Sequence, residues 1–173
     1  VGQGVDSVSV GDRAAVMPAV ACGACRNCLF ERNFLECLRP KRVGGFTEYA
    51  RLPVEALVPL PVEVDLSAAI LLEPLSACLR AMDTAGMPSG TTALITGAGP
   101  IGLLLLQLAK RSGAAFVMVS DLSQERRELA RRLGADLVVD PTSESVVEAS
   151  YDNMAGRGVQ FAFEAAGVPS ALN

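Results

Sequence analysis

From residue 92 onward, short apolar runs alternate with amphipathic stretches, and the two periods predict different elements. Residues 93–97, 116–120, 137–139 and 159–163 read as strands, and residues 101–112, 123–133 and 143–154 as helices. Strands alternating with helices predict right-handed βαβ units and a parallel, doubly wound sheet. The middle helix is the best marked: Ser123 at its N-cap, Gln124 and Glu125 in the first turn, Arg131 and Arg132 in the last, Leu129 and Leu133 on the buried face, and Gly134 just past its end. The first sixty residues lack this alternation. Val5, Val8 and Val10 punctuate an extended run, Gly11-Asp12 turns it, and residues 14–16, 46–52 and 57–60 read as further short strands limited by Pro53, Pro59 and Pro61. A small β-barrel is predicted there. Between the two regions, Ser67 is placed to cap a helix through Leu72, and Pro74 to open another running to about Ala85. The change of pattern near Glu73 predicts a boundary, with one unit over residues 1–74 and a second over 75–173.

Composition narrows the chemistry. The 173 residues carry 15 Lys and Arg against 19 Asp and Glu, a net charge of −4, and half are apolar. That balance supports a buried core and, with no basic tract longer than two residues, argues against nucleic-acid binding. The longest apolar stretches fall well short of the roughly 20 residues that cross a bilayer, so no membrane span is expected. There is no histidine, which removes the commonest general base and nitrogen metal ligand from any mechanism the chain could run alone. With Val1 at one end and no leader pattern, the sequence is expected to be a piece of a longer polypeptide.

Two motifs carry chemistry. The first is Thr96-Gly97-Ala98-Gly99-Pro100-Ile101-Gly102, which follows a predicted strand, opens a predicted helix and fits G-x-G-x-x-G. Gly97 permits the tight turn, Gly99 lets backbone approach a pyrophosphate, and Gly102 lets the helix pack close to the sheet. Such a turn alone is common in any α/β fold. Asp121, 19 residues beyond Gly102 at the end of the second strand, adds the carboxylate that binds both hydroxyls of an adenine ribose and repels a 2′-phosphate, predicting NAD rather than NADP. Arg126 either lies over the adenine or is a solvated helix arginine.

The second motif is CGACRNC, which sets Cys22, Cys25 and Cys28 at two successive C-x2-C spacings, with Cys37 following after eight intervening residues, inside a loop of about residues 21–42. Four thiolates suit tetrahedral zinc, and a full shell leaves no open position, so such a site would be structural. Disulfides, an iron–sulfur cluster and free thiols are the alternatives. Near neighbours would strain disulfides, and ferredoxin spacing brings its fourth cysteine sooner and follows it with proline, where this chain has Leu38. Cys78, on the helix after Pro74, reads as a buried core thiol.

With CGACRNC and Cys37, VGQGVDSVSVGDRAAV, GGFTEYARLP, LLEP around Glu73, TGAGPIGLLLLQLAK, SDLSQERRELARRLGAD and FAFEAAG, essentially the whole chain resembles the middle of a medium-chain, zinc-dependent alcohol or polyol dehydrogenase of the sorbitol and threonine dehydrogenase type. The resemblance implies part of a β-rich GroES-like catalytic domain with a structural-zinc lobe, followed by an incomplete Rossmann domain. It implies NAD and structural zinc as cofactors, with a catalytic zinc in the full-length enzyme near Glu73, whose other reading is a carboxylate favoured by the helix start. The implied reaction passes hydride from an alcohol to NAD, with zinc as Lewis acid and Phe46 lining the substrate pocket. A small alcohol or polyol partner, a homo-oligomer of the full-length enzyme and a cytoplasmic location follow from the same resemblance. One departure is local: the interval from Cys28 to Cys37 is one residue longer than usual, and Glu31 or Arg32 stands where a glycine often eases the loop. The family's catalytic-zinc Cys and Gly-His-Glu are not in these residues, so the isolated chain is expected not to turn over. The alternatives are a NAD- and zinc-binding module without activity, a zinc-free quinone or enoyl reductase relative, which would generally lack the cysteine lobe, and a zinc-stabilised scaffold, which would not need Gly99 or Asp121.

Overall fold

The computed structural model describes residues 1–32 and 34–171. Contacts divide the chain into two compact units, Val1–Glu73 and Pro74–Asn173.

The first unit is built of short pieces: β1 (Ala14–Val16), β2 (Ala19–Val20), α1 (Arg26–Leu29), β3 (Lys41–Arg42), β4 (Leu57–Pro59) and α2 (Leu66–Ala69). β1 pairs antiparallel with β4, and β2 with β3. Residues 46–52 do not form the strand expected of them. Thr47 instead bonds locally, its N–H to the Gly45 carbonyl and its hydroxyl to the Tyr49 carbonyl, so turn geometry takes the groups a ladder would have used. Arg13 staples the end of the unit, its NH2 lying 2.9–3.0 Å from the carbonyls of Pro61, Val62 and Val64.

The cap of α2 is Asp65, not Ser67. The Asp65 carboxylate accepts from the Ser67 amide at 2.7 Å and the Ser67 hydroxyl at 2.8 Å, and the helix ends at Ala69. An anion at the first turn is a better acceptor than a hydroxyl and also meets the helix dipole. These two bonds hold the Asp65 carboxyl below its ordinary value. The stabilisation is therefore complete above the unfolded value near 3.9 and disappears as pH falls through the folded one. Asp65→Ala is expected to melt below the parent at pH 7, with the gap closing toward pH 2; a gap independent of pH would mean the carboxylate does not cap.

The second unit holds all but the first two residues of α3 (Leu72–Ala85, which begins two residues before Pro74), then β5 (Thr92–Thr96), α4 (Pro100–Arg111), β6 (Phe116–Ser120), α5 (Gln124–Arg132), β7 (Leu137–Val139), α6 (Val146–Asn153) and β8 (Phe161–Glu164). All four strands are parallel in the order β7-β6-β5-β8, the doubly wound arrangement expected, so strand order reverses beside β5. Ligands of such sheets bind outside the carboxyl ends of the strands where the order reverses, here β5. Ile95, Leu106, Val117, Met118, Val119, Val139 and Cys78 are the largest fully buried side chains, and Leu104 and Leu105 join them from α4. Helix α6 starts three residues later than its pattern suggests. Asp140 first turns the chain through Thr142 and Ser143, and Ser145 then caps by accepting from the Glu148 amide. β8 likewise begins at Phe161, after Gly158 at φ +70°.

Candidate functional site: a thiolate cluster and a glycine turn

Strand β2 delivers Cys22, Gly23 turns at φ +68°, Cys25 stands at the N-cap of α1, and Cys28 lies one turn along that helix. A 3-10 turn over Phe34–Glu36 then returns Cys37 to the group. The four sulfurs lie within 4.8 Å of one another, with Cys25 to Cys28 at 3.4 Å and Cys25 to Cys37 at 3.9 Å. All are free thiols, since a disulfide needs about 2.05 Å. Zinc–sulfur bonds of about 2.3 Å set tetrahedron edges of about 3.8 Å, so the donors fit zinc in number, chemistry and spacing.

Backbone amides complete the cluster. The Cys22 N–H points at the Cys37 sulfur at 3.2 Å. The amides of Leu38 and Cys28 hold the Cys25 thiol down to about 6, and the Ala24 amide lowers Cys22. Burial pushes Cys28 up to about 12, a penalty that a dication among the sulfurs would offset. Arg32, in the lengthened interval, adopts φ +50°. This is the left-handed region, which disfavours any side chain by about 1–2 kcal/mol and explains the usefulness of glycine there.

The three glycines of the turn after β5 differ physically. A Cβ on Gly97 (φ +93°) would lie 2.7 Å from the Ala166 nitrogen, and one on Gly102 would run into the Gly97 carbonyl oxygen. Both positions are closed by backbone. At Gly99 a Cβ would meet nothing within 4 Å, and φ is −72°. Gly99 is the N-cap of α4 with no side-chain cap bond, and Pro100 follows at the first helical position with Ile101 after it. The space beside Gly99 thus faces the helix start, where amides and dipole favour an anion.

Asp121 sits just after β6 with its side chain 9% exposed. One carboxylate oxygen accepts from the Ala98 amide at 2.7 Å and the other from the Ser123 amide at 2.8 Å, tying the glycine turn to the β6–α5 loop. Each oxygen retains a lone pair for a ligand hydroxyl. Arg126 is mostly exposed, 3.8 Å from that carboxylate. Its neighbour Arg127, which sequence reasoning passed over, is the ordered one, bonded to the carbonyls of Asp121 and Leu122 and to Asp140. No sequence period could reveal a pair 13 residues apart on different elements.

The remaining candidates lie apart. Glu73 is exposed in the first turn of α3; among the described residues, the one group of three or more potential metal ligands is the cysteine cluster. Phe46 is fully exposed and lines an open cleft of about 570 Å³ with Arg42, Thr47 and Arg51. Cys78 is buried, its thiol directed at the Ile101 carbonyl at 3.6 Å and pushed up by burial.

Residues 1–62 match the family model of the alcohol dehydrogenase GroES-like domain, and residues 100–173 that of the zinc-binding dehydrogenases. Over 99% of its length the chain is 41% identical to L-threonine 3-dehydrogenase of Pyrococcus horikoshii and 37% identical to (R,R)-butanediol dehydrogenase of Bacillus subtilis, covering 50% of each. The chain belongs to the zinc-dependent medium-chain alcohol and polyol dehydrogenases. The structure of a zinc-binding dehydrogenase from Sinorhizobium meliloti bound to NADP superposes on 99% of this chain with a TM-score of 0.89 at 34% identity, and the chain covers 52% of it. The chain spans about half the length of the curated relatives it matches. Among the described residues, no helix of this family member is long and apolar enough to cross a membrane.

Proposed function

We propose that this chain carries the structural-zinc lobe and the nucleotide-binding half of an NAD-dependent dehydrogenase that moves hydride from a primary or secondary alcohol, a small alcohol or polyol, to NAD. One observation carries the reading: a largely buried carboxylate, Asp121, bonds the Ala98 amide inside a turn whose middle glycine faces open space at a helix start. Gly97, Gly99, Pro100, Ile101 and Gly102 would seat the pyrophosphate, and Asp121 the ribose hydroxyls. Its negative charge disfavours a 2′-phosphate, and Arg126, 58% exposed and 3.8 Å from the carboxylate, is screened by solvent and offsets only part of that charge, so NAD is preferred. Cys22, Cys25, Cys28 and Cys37 would hold zinc in a closed shell. In the full-length enzyme a catalytic zinc supplies Lewis-acid chemistry toward the alcohol, with Glu73 in its surroundings.

The relatives' names point to hydroxylated substrates for those proteins, a threonine and a butanediol. The same class is proposed here, in a homo-oligomeric, cytoplasmic enzyme whose free thiols suit a reducing compartment. By itself the chain would bind NAD and zinc without turnover. Among the described residues the cysteines are the one group able to ligate a metal, so one zinc per chain is proposed.

Calorimetric titration of the chain with NAD tests the reading directly, and a polyol panel with added zinc separates enzyme from binding module. Asp121→Ala should weaken NAD about ten-fold or more while leaving NADP little changed, because one charge-assisted hydrogen bond is worth roughly 1.5–3 kcal/mol. An unchanged NAD to NADP ratio in a variant that still melts cooperatively would remove Asp121 from the site.

A further inference from the structure

Nothing in the glycine motif explains why the loop after β6 should hold its shape. Leu122 is 70% exposed, and the Asp121 carboxylate holds only the Ser123 amide within the loop, its other oxygen pointing back at the preceding turn. The fixed element beside it is Arg127, whose side chain is 13% exposed. One terminal nitrogen lies 2.7 Å from the Asp121 carbonyl and 2.8 Å from that of Leu122, and the other 2.8 Å from the Asp140 carboxylate. Asp140 is itself fixed, because its other oxygen accepts from the Thr142 amide at 3.0 Å and the Thr142 hydroxyl at 2.6 Å. The Asp121 amide donates to the Val139 carbonyl at 3.3 Å. The backbone of Asp121 is therefore held on both sides, by β7 at its N–H and by Arg127 at its carbonyl.

We propose that Arg127, anchored by Asp140, is a positioning residue that fixes Asp121 for the cofactor's ribose and keeps the site selective against a 2′-phosphate. The inference rests on the NAD-site reading above. A planar guanidinium suits the task, since it bridges two carbonyls and a carboxylate that lie in different directions. With both terminal nitrogens engaged and its charge matched by Asp140, Arg127 is also withheld from any phosphate at the loop. Arg126, one residue earlier, has none of these restraints: its nearest acid is 3.8 Å away and its side chain is 58% exposed. Arg127 uses one terminal nitrogen for both carbonyls and the other for Asp140, whereas a lysine at 127 has a single nitrogen and could occupy only one of those two places.

The test compares the full chain with Arg127→Met, Arg127→Lys and Asp140→Asn, reading NAD and NADP affinity by calorimetry beside the melting temperature. Arg127→Met should weaken NAD about ten-fold and NADP by less than about three-fold, narrowing the ratio. Arg127→Lys should recover most of the melting temperature without recovering the ratio, a split that a merely structural residue would not give. Asp140→Asn leaves the arginine in the sequence but removes the charge that anchors it, and should narrow the ratio as well. If the parent binds NAD and the Lys and Asn variants keep its NAD to NADP ratio, the positioning role is overturned while the NAD-site reading stands. If the parent binds neither dinucleotide, both fall together.

Discussion

Stripping zinc from the four cysteines is expected to unfold residues 1–73 while leaving the four-stranded sheet of residues 74–171 folded. The reason is how little else holds the first unit. Among the described residues, its buried apolar side chains are Cys25, Cys28, Ala56 and Ala69, and two of these four are the proposed ligands themselves. Val10, Phe30, Phe46, Tyr49 and Val62 are each more than four-fifths exposed, so area removed from water contributes little. Strands of two and three residues add few ladder bonds. Structural zinc in small domains is worth about 10–16 kcal/mol at neutral pH, far more than those bonds can replace. The second unit has Ile95, Leu106, Val117, Met118 and Val119 fully buried and no cysteine in the cluster. Amide resonances followed during chelation, or in Cys28→Ser, should therefore collapse for residues 1–73 alone. Dispersed signals surviving there in metal-free protein would show that the polar staples, Arg13 among them, suffice.

The same contrast explains which parts of the fold could be read from sequence. Strands 116–120 and 137–139 and the Ser123 cap were legible because each rests on local rules: apolar runs bounded by turns, and a hydroxyl three residues from the amide it accepts. The cysteine cluster was legible as spacing, and the glycine turn as spacing plus a downstream acid. The first unit was harder. Pairing of β1 with β4 joins residues over forty positions apart, and a short stretch of mixed polarity such as 46–52 carries too little pattern to distinguish a strand from consecutive turns. At α2 two acceptors lay two residues apart, and the choice went to the stronger one, Asp65 over Ser67. Arg126 and Arg127 are alike in sequence. Which one is buried depends on where β7 ends and Asp140 turns, a fact of the assembled sheet.

Alanine at Gly99 and alanine at Gly102 are expected to fail in opposite ways. At Gly102 a Cβ collides with the Gly97 carbonyl oxygen and lies 3.3 Å from the Ile95 side chain, so helix α4 must move off the sheet. Overpacking of this kind destabilises by about 1–3 kcal/mol, and more where the obstacle is backbone. Gly102→Ala should thus melt well below the parent, losing NAD affinity only as a consequence. At Gly99 the backbone is ordinary for any residue, at φ −72°, and a Cβ would touch nothing within 4 Å. Gly99→Ala should keep the melting temperature. Its methyl group would instead stand where a pyrophosphate must approach the amides at the start of α4, and losing two charge-assisted bonds of roughly 1.5–3 kcal/mol each would weaken NAD by about a hundred-fold or more. The pair therefore separates ligand space from packing space within one turn. If Gly99→Ala bound NAD as tightly as the parent, the phosphates would have to lie elsewhere, and Asp121 would be left as a carboxylate that only ties two loops together.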